Sequence, residues 1–328
     1  MQEEVRNDWT IDEVSEIYHQ PILELIYKAS VIHKKYQATG EVQVCTLLSV
    51  KTGGCPEDCS YCPQAARYNT GVDAHKLMKY EEVVDKALIA KNAGSTRFCM
   101  GAAWRDVRDG RDFDNVIDMV KGVNALGLEV CCTLGMLTET QAARLKEAGL
   151  YAYNHNLDTS DEHYSEVIST RTYKDRLETL DNVEKAGISV CCGGIIGLGE
   201  TDADRIKLLQ TLATREKHPE SVPVNALVAV EGTPLAGSQK VQTWEMVRMI
   251  ATARILMPQS MVRLSAGRNE MNIEQQALCF MAGANSIFTG EKLLTTPNPD
   301  FSEDKKMFET LGLKPRESFK VEKEELVH

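Results

Sequence analysis

The sequence predicts an α/β fold, a (β/α)8 TIM-type barrel, from three observations. Short β-rich runs alternate with helical patterns, eight such runs occur, and five of the helical patterns end at a glycine. Strands alternating with helices of roughly 10–15 residues mark βαβ units and a parallel sheet. Eight units is the number that closes a barrel. The periodicity also suits an open doubly wound sheet, so it is the count that selects the barrel.

The elements follow in order. Residues 1–40 are rich in helix formers and form an N-terminal helical lead-in. Strands are expected over 42–50, 96–103, 129–134, 150–157, 189–196, 222–230, 261–265 and 286–289. Helices are expected over 81–93, 114–126, 138–148, 174–186, 202–214, 243–257 and 273–282, with one more near 304–311. Gly94, Gly127, Gly149, Gly187 and Gly283 stand just past five of them, where a positive φ ends a helix cheaply. Pro258 stops a sixth. Neither a Ser/Gly linker nor a composition shift interrupts residues 40–300, so 1–328 reads as a single domain. A short, charged and loosely held C-terminal tail is expected over 302–328.

The 328 residues carry 37 Lys and Arg against 48 Asp and Glu, a net charge of −11. With 43% hydrophobic and 26% charged residues the composition is that of an ordinary globular protein, not a disordered, collagenous or coiled-coil one. The acidic balance argues against a nucleic-acid partner, which needs a basic face. Membrane insertion is not expected either, because no apolar run approaches the ~18 residues needed to span a bilayer. The first residues lack a basic segment followed by an apolar one, so the expected location is the cytoplasm. Ten cysteines are too sparse for a disulfide scaffold. In a reducing cytosol, clustered cysteines point to metal binding or catalysis.

The tightest cluster follows the first strand: Lys51-Thr-Gly-Gly-Cys55-Pro-Glu-Asp-Cys59-Ser-Tyr61-Cys62-Pro-Gln64. Its glycines and prolines make it a loop, and in a barrel the loop after a strand lies at the C-terminal face, where active sites are built. A [4Fe–4S] cluster normally takes four cysteines; three leave one iron open to an outside ligand. A structural zinc with His75 as fourth ligand suits the same spacing.

Along the fourth strand, Asn154, Asn156 and Asp158 alternate onto one face. Three polar side chains on an inward face need partners, since leaving each unsatisfied costs about 1–3 kcal/mol; a polar small molecule would supply them. His155 points the other way and reads as a hydrogen-bonded packing residue. Cys99 lies on the second strand, Cys131 and Cys132 on the third, Cys191 and Cys192 on the fifth, and Arg263 with Ser265 on the seventh. A lone cysteine is usually a small buried apolar residue. Cysteines on neighbouring barrel strands could instead surround a second iron–sulfur centre. Gly197-Leu-Gly199 lacks the third glycine of a dinucleotide fingerprint, so NAD binding is not indicated.

The C-x3-C-x2-C loop, with an aromatic residue before its last cysteine, resembles the radical S-adenosylmethionine (SAM) superfamily. Longer runs resemble one family within it, the biotin synthases: GGCPEDCSYCPQ, RFCMGAAWR, GLEVCCTLG, YNHNLDTS, VCCGGIIGLGE, PVNALVAVEGTPL, VRLSAGR and CFMAGANSIFTGEKLLTTPNP, spread from Val42 to Pro299. The resemblance implies sulfur insertion into dethiobiotin, driven by a 5′-deoxyadenosyl radical made from SAM. It implies a [4Fe–4S] cluster on Cys55, Cys59 and Cys62. It also implies a [2Fe–2S] cluster, the sulfur source, on Cys99, Cys131, Cys191 and Arg263. SAM would meet Tyr61, Asn156, Asp158, Gly193, Gly194 and Ile195. Dethiobiotin would meet Asn154, Asn156, Asn225, Thr295 and Thr296. Radical chemistry on cofactors needs no catalytic acid or base. A homodimer, a small flavodoxin- or ferredoxin-type electron donor and the iron–sulfur assembly machinery are the implied partners. Another radical SAM barrel of hydrogenase-maturation type, and a non-catalytic iron–sulfur or zinc protein, are the alternatives. Lipoyl synthase has a second N-terminal cysteine motif, whereas residues 1–44 hold no cysteine.

Overall fold

A computed structural model describes residues 5–290 and 292–319. Helices α1 (Ile11–Tyr18) and α2 (Ile22–Tyr36) precede the first strand. The chain continues through β1 (Glu41–Lys51), α3 (Tyr80–Asn92), β2 (Arg97–Ala102), α4 (Arg111–Ala125), β3 (Glu129–Thr133), α5 (Glu139–Glu147) and β4 (Ala152–Asn154). Next come α6 (Asp161–Val167), α7 (Tyr173–Lys185), β5 (Ser189–Cys191), β6 (Gly194–Ile196), α8 (Asp202–Ala213), β7 (Ser221–Ala226) and α9 (Thr243–Leu256). The last elements are β8 (Met261–Leu264), α10 (Ile273–Met281), β9 (Ser286–Thr289), the hairpin strands β10 (Lys292–Leu293) and β11 (Thr296–Pro297), α11 (Phe301–Leu311) and β12 (Lys314–Pro315).

Parallel pairing runs from β1 through β2, β3, β4, β5, β7, β8 and β9 and returns to β1, which closes the barrel. The expected helices lie within about three residues of their predicted ends, in keeping with the usual scatter of helix boundaries. Their starts are fixed locally: Thr138 with Gln141, and Asn272 with Gln275, form reciprocal capping boxes. Helix α2 packs on α9, and α1 on α8, so the lead-in covers one side of the barrel.

Four expected elements differ, among them the sixth strand, which ends at Ala226 rather than 230. The fourth strand ends at Asn154 rather than 157, because the chain turns at Asp158, whose φ is 68°. The fifth strand is broken into β5 and β6. Pro223 stands opposite the break and has no N–H to contribute to the ladder. Residues 302–319 are held, not loose. Asp304 of α11 meets Arg268 in a buried, two-pronged ion pair (2.5 and 2.8 Å), β12 pairs with β1, and the Phe319 N–H donates to Glu129 Oε1 (2.6 Å). The rest of the expected tail, residues 320–328, lies outside the described residues.

Strand register decides what fills the barrel. Gln43 faces Ser286, Cys45 faces Phe288, Cys99 faces Cys131, Cys131 faces Ala152 and Arg263 faces Ser286. These side chains form the interior layers, with an inner apolar cluster of Cys45, Cys99, Cys131, Ala152 and Phe288. Cys132 and Cys192, one residue along each strand, belong instead to the larger core between strands and helices. The alternation of side chains along a strand splits each doublet in this way. At the N-terminal end, buried Arg97 clamps Glu220 (2.9 Å to each oxygen) and Glu129 (2.9 Å). No described helix is long and apolar enough to cross a membrane.

Candidate active site

The three-cysteine loop leaves β1 at the C-terminal mouth and folds back on itself. Cys55 N–H donates to Gln64 O (2.9 Å), Ala66 N–H to Cys55 O (2.8 Å) and Cys62 N–H to Cys59 O (3.0 Å). Gly53 has φ 69°, and a Cβ there would lie 2.8 Å from Asp73 O, so the tight entry to the loop requires glycine. Asp58 pins the loop to the segment before α7, accepting from the N–H groups of Ser169 (3.0 Å) and Thr170 (3.1 Å).

Burial pushes the Cys59 thiol up to about 12, against the pull of Arg171 and Arg176, and the Cys62 thiol up to about 11. Burial also raises Cys55. Thiols held this way become thiolates only when a strong cation binds. Among the described residues no three His, Cys, Asp or Glu side chains converge closely enough to hold a single metal ion. The His75 side chain is exposed. Three thiols on one loop at the barrel mouth are a donor set of the kind iron–sulfur clusters take, and with His75 exposed they do not present the Cys3His zinc shell.

Behind the loop lies a cavity of about 1430 Å³, counting its open mouth. It brings together Tyr61, Cys62, Asn154, Asn156 and Asp158, and deeper in, Cys99, Cys131 and Arg263. Ile195, Asn225, Thr295 and Thr296 lie along its wall, whereas Cys55, Cys59, Cys191, Gly193 and Gly194 of the predicted set do not line it. The hairpin carrying the two threonines leans over the mouth: a Cβ on Gly101 would lie 2.6 Å from Leu294 Cδ2.

A continuous chain of polar contacts runs down one side. Tyr61 OH donates to Asp158 Oδ2 (2.9 Å), and Arg176 donates to the same oxygen (2.5 Å) and to Asn156 O (2.5 Å). Asn156 Oδ1 accepts from Gly193 N–H (3.2 Å) and from Asn154 Nδ2 (3.1 Å). Asn154 Nδ2 also reaches Cys191 Sγ (3.3 Å). Gly193 and Gly194 support this chain by their lack of a side chain. A Cβ at 193 would sit 1.9 Å from Pro223 O, and one at 194 would sit 2.8 Å from Asp158 O. Asn225 is fixed at both ends, donating to Gly194 O (2.9 Å) and accepting from Ala266 N–H (3.2 Å).

The expected common face of Asn154, Asn156 and Asp158 is realised, but by a different route. Strand alternation supplies only Asn154; the turn after it and Arg176 place the other two. His155, expected to point away as a hydrogen-bonded packing residue, instead lies among the cavity-lining residues, buried beside Tyr153, and its Nε2 finds no hydrogen-bond partner among the described residues. Burial lowers its pKa well below the usual histidine value, with Arg176 and Arg171 adding to the effect.

At the bottom of the cavity Cys99 and Cys131 stand opposite each other, and their interaction raises the Cys99 thiol and lowers that of Cys131. The Arg263 guanidinium lies 3.7 Å from Cys191 Sγ and donates to Ser286 Oγ (2.9 Å). Cys99 and Cys131 line the cavity with Arg263, and Cys191 lies against Asn154 and Arg263; such a set of buried thiols suits an iron–sulfur centre. The arginine is the weak member of the set, since thiolate is the favoured ligand.

Sequence reasoning missed Arg176, Arg171 and Cys45. The first two belong to α7 and its approach, where an arginine looks like any surface charge. Cys45 had a signal: it alternates with Gln43 and Leu47 on β1.

Known proteins share this chain's sequence and fold. Residues 49–212 match the Radical SAM superfamily, and residues 223–314 match the Biotin and Thiamin Synthesis associated domain. The chain is 69% identical to a biotin synthase of Cytophaga hutchinsonii, covering 97% of this chain and 94% of that protein. It is 65% identical to that of Myxococcus xanthus, covering 96% and 91%, and 61% identical to the mitochondrial one of Arabidopsis thaliana, covering 95% and 82%. Among solved structures, methylornithine synthase superposes with a TM-score of 0.81 at 20% identity, covering 95% of this chain and 96% of that one. An [FeFe]-hydrogenase maturase of Carboxydothermus hydrogenoformans gives 0.76 at 16%, covering 94% and 76%. At these identities the likeness is one of fold alone.

Proposed function

The chain belongs to the biotin synthase family of the radical SAM superfamily, and from that membership we propose that it inserts sulfur into dethiobiotin, the last step to biotin. The observation that carries this reading is the unbroken polar chain from Tyr61 beside the mouth cysteines to Cys191 among the interior ones. It joins two thiol sites across a single cavity.

Cys55, Cys59 and Cys62 would hold a [4Fe–4S] cluster, and Cys99, Cys131, Cys191 and Arg263 would hold a [2Fe–2S] cluster. When bound, the first supplies the electron that cleaves SAM to methionine and a 5′-deoxyadenosyl radical, and the second supplies the sulfur. The protein's own residues position and exclude. Asp158, held by Tyr61 and Arg176, offers its carboxylate to the hydroxyl groups of SAM. Gly193, Gly194 and Ile195 let SAM lie close to the β5–β6 backbone, and Asn156 lies between SAM and substrate. Asn154 and Asn225 orient the polar ring of dethiobiotin, and the hydroxyls of Thr295 and Thr296 take its carboxylate at the mouth. Phe288, Leu47 and Leu293 keep the interior apolar, so a primary radical meets substrate rather than water. No residue is needed as a general acid or base.

The chain works as one domain over 1–328, in the cytoplasm, as a homodimer. A small flavodoxin- or ferredoxin-type protein supplies electrons, and the iron–sulfur assembly machinery rebuilds the second cluster. Anaerobic incubation with SAM, reductant and dethiobiotin, followed by mass spectrometry, should yield biotin and 5′-deoxyadenosine. Zinc without acid-labile sulfide in the isolated protein would overturn the reading.

A further inference from the structure

The interior holds one more thiol than the reaction uses. Cys45 is fully buried on β1, in one inward-facing cluster with Cys99, Cys131 and Phe288. Its Sγ lies 3.4 Å from Arg263 Nη2, while Nη1 of the same guanidinium lies 3.7 Å from Cys191 Sγ. One arginine head thus spans two cysteines. Arg263 Nη2 donates to the Cys45 sulfur, and the Cys45 thiol donates to Gln43 Oε1 (3.6 Å) and lies 3.9 Å from Ser286 Oγ, so the arginine is its only charged hydrogen-bond partner among the described residues. The arginine, in turn, is anchored from below by Ser286 (2.9 Å) and Gln43 (3.3 Å). An iron that loses its nitrogen ligand in this place has a softer donor within reach.

Resting on the second centre described above, we propose that Cys45 is a reserve iron ligand of the interior site, completing an all-cysteine set when the Arg263 guanidinium is removed from the metal. The exchange balances without an outside reagent. The iron–nitrogen bond breaks, an iron–sulfur bond forms, and the thiol proton passes to the departing guanidine beside it. The change involves no oxidation or reduction.

The test counts iron where only the interior site can hold it, in the full chain carrying Cys55→Ala, Cys59→Ala and Cys62→Ala. After anaerobic reconstitution with iron and sulfide, this background should bind about two irons per chain, as a [2Fe–2S] centre requires. Adding Arg263→Ala should leave the iron and the charge-transfer absorbance nearly intact. Adding Arg263→Ala together with Cys45→Ser should lower both at least threefold. Equal iron in those two proteins overturns the proposal. Mössbauer spectra of the Arg263→Ala protein give a second reading that does not depend on the double variant folding. Two equivalent sulfur-ligated irons support Cys45 as ligand, and one distinct oxygen- or nitrogen-ligated iron refutes it. If the background with Arg263 intact binds no iron, the second centre itself fails and the reserve ligand falls with it, an outcome distinguishable from failure at Cys45 alone.

Discussion

Replacing Arg176 with alanine tests how the polar chain is built. Arg176 and Asp158 are both buried, with side chains 4% and 2% exposed, and their ion pair spans 2.5 Å. Arg176 also donates to Asn156 O (2.5 Å) and to Tyr164 OH (2.8 Å). Truncation leaves the Asp158 carboxylate buried with the single hydroxyl of Tyr61. Breaking one side of a buried pair costs about 3–5 kcal/mol, because the remaining charge is uncompensated. At roughly 2 °C per kcal/mol for a large domain, the thermal midpoint should fall by on the order of 5–10 °C. SAM binding, followed by equilibrium dialysis, should weaken in the folded variant because Asn156 and Asp158 lose their common anchor. The companion variant Asp158→Ala/Arg176→Ala should cost less than the sum of the two single changes, since no orphaned charge remains. Circular dichroism melts of the three proteins measure this. Costs that simply add, or an Arg176→Ala midpoint unchanged from the parent, would refute the reasoning.

Other parts of the molecule give three more predictions. Cys131→Ala and Cys191→Ala should lose the [2Fe–2S] absorbance, whereas Cys132→Ala and Cys192→Ala should retain it at a stability cost of about 1 kcal/mol; spectra and melts of the four decide it. Gly193→Ala should disrupt the β5–β6 break and abolish SAM binding, because its Cβ would meet Pro223 O at 1.9 Å, while Gly237→Ala, with nothing within 4 Å, should melt like the parent. His33 is brought down to about 4 by burial, with Arg254 adding to the effect. The unfolded chain therefore takes up a proton between pH 6.5 and about 4 that the folded one refuses, and stability falls as pH drops through that window. Chemical denaturation of His33→Gln should show a shallower fall there than the parent.

The barrel is legible in the sequence because its signals are local. Turn glycines and capping residues such as Thr138 with Gln141 fix helix ends wherever the chain goes, and eight repeats leave little choice of closure. The mouth cysteines are legible for the same reason, since Gly53, Pro56 and Pro63 confine them to one loop. The interior is only half legible. Period-two alternation says that one cysteine of each doublet faces inward, and it takes the register of Cys99 against Cys131 to say which. Arg176 gives no signal because its partners, Asp158 and Asn156, become neighbours only when α7 packs behind the turn. Asp304 reads as tail charge because Arg268, its buried partner, lies 36 residues away.

We propose that the interior cysteines hold the sulfur that enters the product. The most direct test is to reconstitute the protein anaerobically with heavy-isotope sulfide, remove the excess, and analyse the biotin from a single turnover with dethiobiotin and SAM by mass spectrometry. The biotin should carry the heavy sulfur, with the label lost when Cys131 or Cys191 is replaced by alanine. Biotin of natural isotopic composition, or no biotin from protein with both clusters intact, would contradict it.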